Sequence, residues 1–185
     1  MRSRKAADVA RGSFYNHFTD KESLALEIVE GIRTSLADEI RAANTGGVDP
    51  DMGIARGLCT VLLFGLKHCD RAGALTRLMP GTTSFDAPIN LLAREHLQAG
   101  LAQGVFSEVN VEEGLVLVIG ASMLMLHHAL ERKGPRLDPV AYSSALAGGL
   151  LRGLGTEFAR ARNTAASAAR DVFSDFLRSG DRGSG

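Results

Sequence analysis

The sequence predicts an all-α protein, and three observations carry that prediction. Apolar residues recur at intervals of three and four along most of the chain, no segment alternates with period two, and Gly or Pro clusters separate the periodic segments. With 185 residues, 45% of them hydrophobic, the chain can bury a sizeable core.

The first long helix is expected from Lys21 to Ala43, with Asp20 as its cap and Leu24, Ile28, Ile32, Leu36 and Ile40 as its stripe. Asn44-Thr45-Gly46-Gly47 ends it. A second helix is expected from Asp51 to Cys69, burying Ile54, Leu58, Leu62 and Leu66, and a short third one from Arg71 to Met79, before Pro80-Gly81. The fourth spans Ala87 to Gln103 with Leu91, Leu92, His96 and Leu97 inward, and Gly104 closes it. The fifth runs from Val111 to Arg132 and stops at Gly134-Pro135. A sixth begins after Asp138-Pro139, a cap and first-turn pair, and reaches Leu154. The last covers Thr164 to Arg178, with Val172, Phe173, Phe176 and Leu177 on one side and Gly180 beyond its end. The alanines near Ala165 read as ordinary helix composition.

Charge and composition exclude several classes. Basic and acidic side chains balance at 21 each, so a nucleic-acid partner must be met by a local patch. Such a patch opens the chain, where Arg2, Arg4, Lys5 and Arg11 face only Asp8 in the first eighteen residues. Cys59 and Cys69 make no CxxC pair, which argues against a zinc site or a disulfide framework. Met1-Arg2-Ser3-Arg4-Lys5 has no apolar stretch behind it and does not read as a secretory leader. The longest apolar run, Leu115 to Leu126, is twelve residues broken by Gly120 and Ser122. That is shorter than the roughly 20 that cross a bilayer. The reading is therefore cytoplasmic, with no membrane partner. Gly148 to Gly155 lacks the Lys-Ser/Thr end of a phosphate loop, and the five histidines are scattered, so no enzyme is expected. His127 and His128 are neighbours that point about 100° apart on a helix, and no metal or cofactor is expected.

The most informative stretch is Arg11-Gly12-Ser13-Phe14-Tyr15-Asn16-His17-Phe18. As a helix it places Phe14 and Phe18 on one buried face. Arg11, Ser13, Tyr15, Asn16 and His17 then fall on the remaining surface, where they can bond phosphates or base edges. Lys21 sits in the first turn of the next helix, where the macrodipole disfavours a cation, and a phosphate ligand accounts for it there.

Ala7-Asp8-Val9-Ala10 before this stretch, and Asp20-Lys21-Glu22-Ser23-Leu24 after it, complete a pattern that resembles the turn, recognition helix and next-helix start of TetR-family regulators. The motif covers about a tenth of the chain. The resemblance implies double-stranded DNA as a partner, with Arg11, Gly12, Tyr15 and Asn16 nearest base edges and Ser13, Tyr15, His17 and Lys21 on phosphates. It also implies a division into a DNA-binding head with its connecting helix at 1–43 and a ligand-binding, dimerising body at 44–185. Family members have a full helix and most of a second before the turn at Asp8-Val9-Ala10, and here seven residues precede it. Either the true start lies upstream of Met1, or Met1 to Lys5 is the original basic arm and a stretch is missing between Lys5 and Ala6. The recognition helix needs that brace, so weak DNA binding or none is expected of the chain as written.

In the body, Leu115, Val116, Leu117, Val118, Ile119, Met123, Leu124, Met125 and Leu126 make the fifth helix apolar nearly all round. One face is expected toward the core and another toward a second subunit. Ala141, Ala145, Gly149 and Gly153 form a ridge of small residues on the sixth helix, beside Tyr142, Leu146, Leu150 and Leu154. Glycines inside a helix cost roughly 1 kcal/mol each against alanine, which close helix packing would explain. A homodimer interface is thus expected at Leu117, Leu124, Tyr142, Ala145, Leu146, Gly149, Leu150 and Gly153. A pocket for a small apolar effector is expected among the second, fourth and fifth helices. Its candidate lining is Leu62, Leu66, Met79, Leu92, His96, Ile119, Met123 and His127, with methionines as adaptable walls. The implied function is a transcriptional repressor released from its operator by that effector. The competing reading is a ligand-binding or heterodimerising module that has lost DNA binding.

Overall fold

The computed structural model describes residues 21–78, 87–132 and 137–180, and among these it contains seven helices and no strand. They are α1 (Lys21–Ala43), α2 (Pro50–Lys67), α3 (Cys69–Leu78), α4 (Pro88–Ala102), α5 (Val111–Glu131), α6 (Pro139–Gly153) and α7 (Phe158–Gly180). The all-α expectation holds, and helix boundaries fall within one or two residues of those expected, except at the start of α7. The stops expected at Pro80-Gly81 and Gly134-Pro135 lie outside the described residues.

α2 is the axis of the bundle. It packs against each of the other six described helices, and 13 of its 18 residues are buried. At His68 the chain turns by 115° into α3. The N-terminal end of α2 is tied to α7 by a buried carboxylate. Asp51 accepts two hydrogen bonds from Arg160, at 2.7 and 2.9 Å, and one from Thr164 at 3.1 Å.

Capping chemistry sets several ends. Asn110 and Glu113 form a reciprocal capping box at the start of α5. Asp138 accepts from the backbone N–H groups of Val140 and Ala141, as the Asp-Pro pair predicts for α6. α7 begins six residues before the expected Thr164, because Glu157 caps it, accepting from the N–H groups of Ala159 and Arg160, each at 2.9 Å. Just upstream, Gly155 takes φ +99°, and a Cβ there would collide with the backbone N–H groups of Ser107 and Glu108. Those two N–H groups donate to the Leu154 carbonyl, which clamps the α4–α5 loop against the α6–α7 corner.

The α6–α7 pair is the most extensive helix contact. Ala161, Ala165, Ala168 and Ala169 lie wholly buried along α7, followed by Phe173. The alanines read as plain helix composition are thus the packing stripe that lets α7 lie close on its neighbours.

Three residues expected inward are exposed: Ile28 (52%), Leu91 and Leu177. Residues four apart lie about 40° apart round a helix and neighbours about 100°, so Ile28, Leu177 and Leu91 sit past the edge of the face that Ile32, Phe173 and Leu92 define. On α1 the inner stripe is instead Val29, Ile32, Leu36 and Ala37. α5 differs as well. The whole helix, 21 residues with mean hydropathy 1.5 over an 18-residue window, is long and apolar enough for a membrane span by length and composition. It is in fact seated in the bundle, with Leu115, Val118, Met125 and Leu126 buried in the core. Among the described residues nothing covers Val116, Leu117 and Leu124 on its other face.

Candidate functional site

A cavity of about 70 Å³ lies where α1, α2, α4 and α5 converge. From α1 come Arg33, Leu36 and Ile40. α2 presents Gly53, Ile54, Gly57, Leu58 and Val61, and α3 closes one side with Leu75. α4 contributes Asn90, Leu92 and His96, and α5 contributes Val118, Ile119, Ser122 and Met123. Two glycines at i and i+4 make the α2 wall. The distal edge of the His96 ring fills the space that a side chain at Gly53 would occupy, while a Cβ at Gly57 would meet only Ile40 Cγ2, at 3.7 Å.

Four polar side chains reach an otherwise apolar chamber. Arg33 is nearly buried and its Nη1 lies 3.4 Å from Glu30 Oε2. Asn90 and Ser122 are buried too. His96 Nε2 is buried and has no hydrogen-bond partner among the described residues. Burial holds the His96 imidazole below its ordinary pKa, against an opposing pull from Glu95, which favours the neutral ring. Among the described residues no carboxylate lines the chamber. Such a space can hold a small, mostly apolar guest with one or two polar handles.

Of the expected pocket residues, Leu92, His96, Ile119 and Met123 line the cavity. Leu62 and Leu66 do not. Leu62 is one step, about 100°, round from Val61 and is wholly enclosed in the core, and Leu66 lies further along α2, partly buried against that core. His127 is also outside it, because it sits on the outward side of α5 with Nε2 3.2 Å from Glu131. Met79 lies outside the described residues. Arg33, Gly53, Gly57, Asn90 and Ser122 were not anticipated. The Gly53/Gly57 pair carried a legible signal, the same spacing that drew attention to α6.

The second feature is an uncovered apolar face. On α5, Val116, Leu117 and Leu124 are exposed, Leu124 by 71%, and on α6 Leu146 is exposed beside Ala145, Gly149 and Gly153. Among the described residues, and apart from its own helix backbone and chain neighbours, no atom lies within 4 Å of a Cβ built at Gly149 or Gly153, so the described chain supplies no packing reason for either glycine. Tyr142 joins the two helices through a 2.7 Å hydrogen bond between its hydroxyl and His128 Nδ1. Leu150 is the exception among the expected interface residues. It is buried within the protomer at 8% exposure, because the row Tyr142, Leu146, Leu150, Leu154 drifts by about 40° per step from the outer face to the inner.

The expected DNA-contacting residues Arg11, Gly12, Ser13, Tyr15, Asn16 and His17 lie outside the described residues, as does the Lys21 side chain. Among the described residues no group of three or more His, Cys, Asp or Glu side chains could hold a metal ion. Cys59 is buried, and desolvation pushes its thiol up to about 11 despite a hydrogen bond with Ser143, whereas Cys69 is exposed.

The helical body shares its fold with solved structures of RolR (NCGL1110). RolR in complex with the ligand resorcinol matches with TM-score 0.61 and 22% identity, covering 84% of this chain and 76% of that one. RolR without ligand matches with TM-score 0.65 at the same identity, covering 84% and 78%. No family model and no curated protein sequence matches the chain. At this identity the likeness is one of fold.

Proposed function

We propose that the protein is a ligand-responsive transcriptional regulator, a repressor whose operator binding is released when a small, mainly apolar molecule enters the α1–α2–α4–α5 cavity. The observation that carries this is the cavity itself, with apolar walls and a few buried polar handles, in a fold shared with RolR, which was solved with resorcinol bound. α1 is the natural lever. It is 23 residues, roughly 34 Å, long, lines the cavity through Arg33, Leu36 and Ile40, and leads at its N-terminal end into the segment that resembles a recognition helix. A guest that binds one tilt of α1 better than another shifts the balance between DNA-competent and released states by that difference in affinity.

In this reading Arg11, Gly12, Tyr15 and Asn16 read base edges, while Ser13, His17 and Lys21 hold phosphates with help from Tyr15. The exposed α5–α6 face pairs two copies, so that two heads meet two half-sites. The uncovered leucines support pairing, since contiguous exposed apolar surface marks an interaction site. The test is fluorescence anisotropy with duplexes tiled across the DNA flanking the protein's own gene, with and without candidate effectors. Specific binding that an effector reverses is the expected result. Effector binding without any DNA binding favours instead a ligand-binding or heterodimerising module.

A further inference from the structure

We propose that Gly57 on α2 sets which guest the cavity admits, and that this guest is an uncharged molecule of at most about one ring, seated on the bare helix backbone opposite Ile40. This rests on the reading of the cavity as an effector site and specifies the size and charge class that the site takes.

Direction comes first. Gly53, Ile54, Gly57, Leu58 and Val61 are the α2 residues that line the chamber. At about 100° per residue, Gly57 falls midway between Gly53 and Val61, about 40° from each, inside the lining arc. A side chain at that position is therefore aimed into the chamber. The two glycines differ in what such a side chain would meet. At Gly53 it collides with the His96 ring, so packing against α4 already accounts for that glycine. At Gly57 a Cβ would touch only Ile40 Cγ2, at 3.7 Å, an ordinary contact. Glycine inside a helix is disfavoured against alanine, and no described neighbour excludes a methyl here. What a methyl would take is room in the chamber.

Room is scarce. About 70 Å³ is a small chamber beside the roughly 150 Å³ of an apolar cavity that takes benzene. One ring is then the upper limit, with Met123 and Ile119, both partly buried, shifting to admit it. In so small a space a single methyl on the wall decides between guests that differ by one carbon.

Charge narrows the class further. Among the described residues the lining holds one arginine, Arg33, whose Nη1 lies 3.4 Å from Glu30 Oε2, and no carboxylate. A carboxylate guest would have to compete with Glu30 for that guanidinium. An ammonium guest would lie near Arg33 with no opposite charge in the walls. Either gives up its hydration for little return, whereas an uncharged ring gains from the apolar walls on every side.

The experiment is titration calorimetry of the full chain with four probes: toluene, its charged analogues benzoate and benzylammonium, and the two-ring, uncharged indole. The proteins are the wild type, Gly57→Ala, and Gly57→Ala combined with Ile40→Ala. Wild type should bind toluene about 10-fold or more tightly than either charged probe, and more tightly than indole. Gly57→Ala should weaken toluene by about 10-fold, the effect of one misplaced methylene in a tight apolar pocket. Urea unfolding should show that variant at least as stable as wild type, so that a damaged fold does not account for the loss. Trimming Ile40 opposite should restore toluene binding. Unchanged toluene affinity in Gly57→Ala overturns the role of that glycine, as does a loss that Ile40→Ala leaves untouched. Benzoate, benzylammonium or indole binding tightest overturns the size and charge class and leaves the effector cavity standing. Failure of all four to bind wild type overturns the cavity reading and this inference together.

Discussion

Asp51 and Arg160 form a pair whose two halves should differ sharply in cost when removed. The Asp51 side chain is 2% exposed, whereas the Arg160 side chain is 44% exposed and has Asp49 as a second acidic neighbour at 3.8 Å. Arg160→Met strands a buried carboxylate with only Thr164 and the N-terminal end of α2 to answer it, at a cost of about 3 kcal/mol, the lower end for a broken buried pair. Asp51→Asn keeps the shape and one acceptor and leaves Arg160 in reach of water and Asp49, costing about 1–2 kcal/mol. Urea denaturation followed by circular dichroism at pH 7 measures both. Acid adds an independent check. Burial pushes the Asp51 carboxyl up, but hydrogen bonds from Arg160 and Thr164 and the charge of Arg160 outweigh it, so its folded pKa lies below the ordinary 3.8. For a depressed carboxylate the stabilisation is complete above the unfolded value, near 4, and is lost as pH falls through the lower folded value. The wild-type advantage over Asp51→Asn should therefore be flat from pH 5 to 7 and shrink below about 4. An Arg160→Met protein at least as stable as Asp51→Asn would refute the reasoning, since it would mean the carboxylate is not held by its partner.

Further outcomes follow from the cavity, the pairing face and the thiols. Gly57→Ala should raise stability by up to about 1 kcal/mol, because the new methyl meets only Ile40 at ordinary contact distance, and larger side chains there should block small-molecule binding in a thermal-shift assay. Leu124→Glu should leave the helical circular dichroism unchanged and weaken self-association by roughly 2 kcal/mol or more, read by analytical ultracentrifugation across micromolar concentrations. Gly149→Leu should likewise spare the fold of the single chain, where no described residue outside its own helix and chain neighbours lies within 4 Å, yet weaken pairing by about 1–3 kcal/mol through overpacking. Ellman's reagent should titrate one thiol fast, exposed Cys69, and reach buried Cys59 only on unfolding.

What was legible in the sequence divides along physical lines. Helix number and most helix ends were readable, because Asp138-Pro139, Gly104 and the Asn44 to Gly47 loop are local signals whose meaning needs no tertiary context. The start of α7 was not, since Glu157 is an unusual cap and its role depends on the α6–α7 corner being clamped by Ser107 and Glu108. Facing was the weak point. The helix faces were read too broadly: Ile28 and Leu177 lie one step of four, about 40°, from buried Ile32 and Phe173, Leu91 lies about 100° round from Leu92, and Leu150 turns inward from exposed Leu146. The site was half legible. Leu92, His96, Ile119 and Met123 were found from helix faces and adaptable side chains. Arg33, Asn90 and Ser122 were missed because polar residues on amphipathic helices read as surface until another helix covers them. Gly53 and Gly57 were missed because a glycine's message is a neighbour's position, and the neighbour, His96, comes from another helix.

That same pair of glycines places α2 between the two halves of the proposed function. One side of α2 forms the cavity floor. Its N-terminal end is held to α7 through Asp51 and Arg160, and α7 packs most extensively on α6, which bears half of the uncovered face. α5 is shared more directly, since Ile119 and Met123 line the cavity while Leu117 and Leu124 on the same helix lie exposed. A guest that moves Met123 therefore acts on a helix whose opposite side is open to a second subunit, and one that moves Leu36 acts on α1. If both movements favour the same state, pairing and effector binding must be thermodynamically linked, each strengthening or weakening the other by one factor. Dimer affinity measured with and without bound effector reads that factor directly. A value of one would confine the effector's influence to α1.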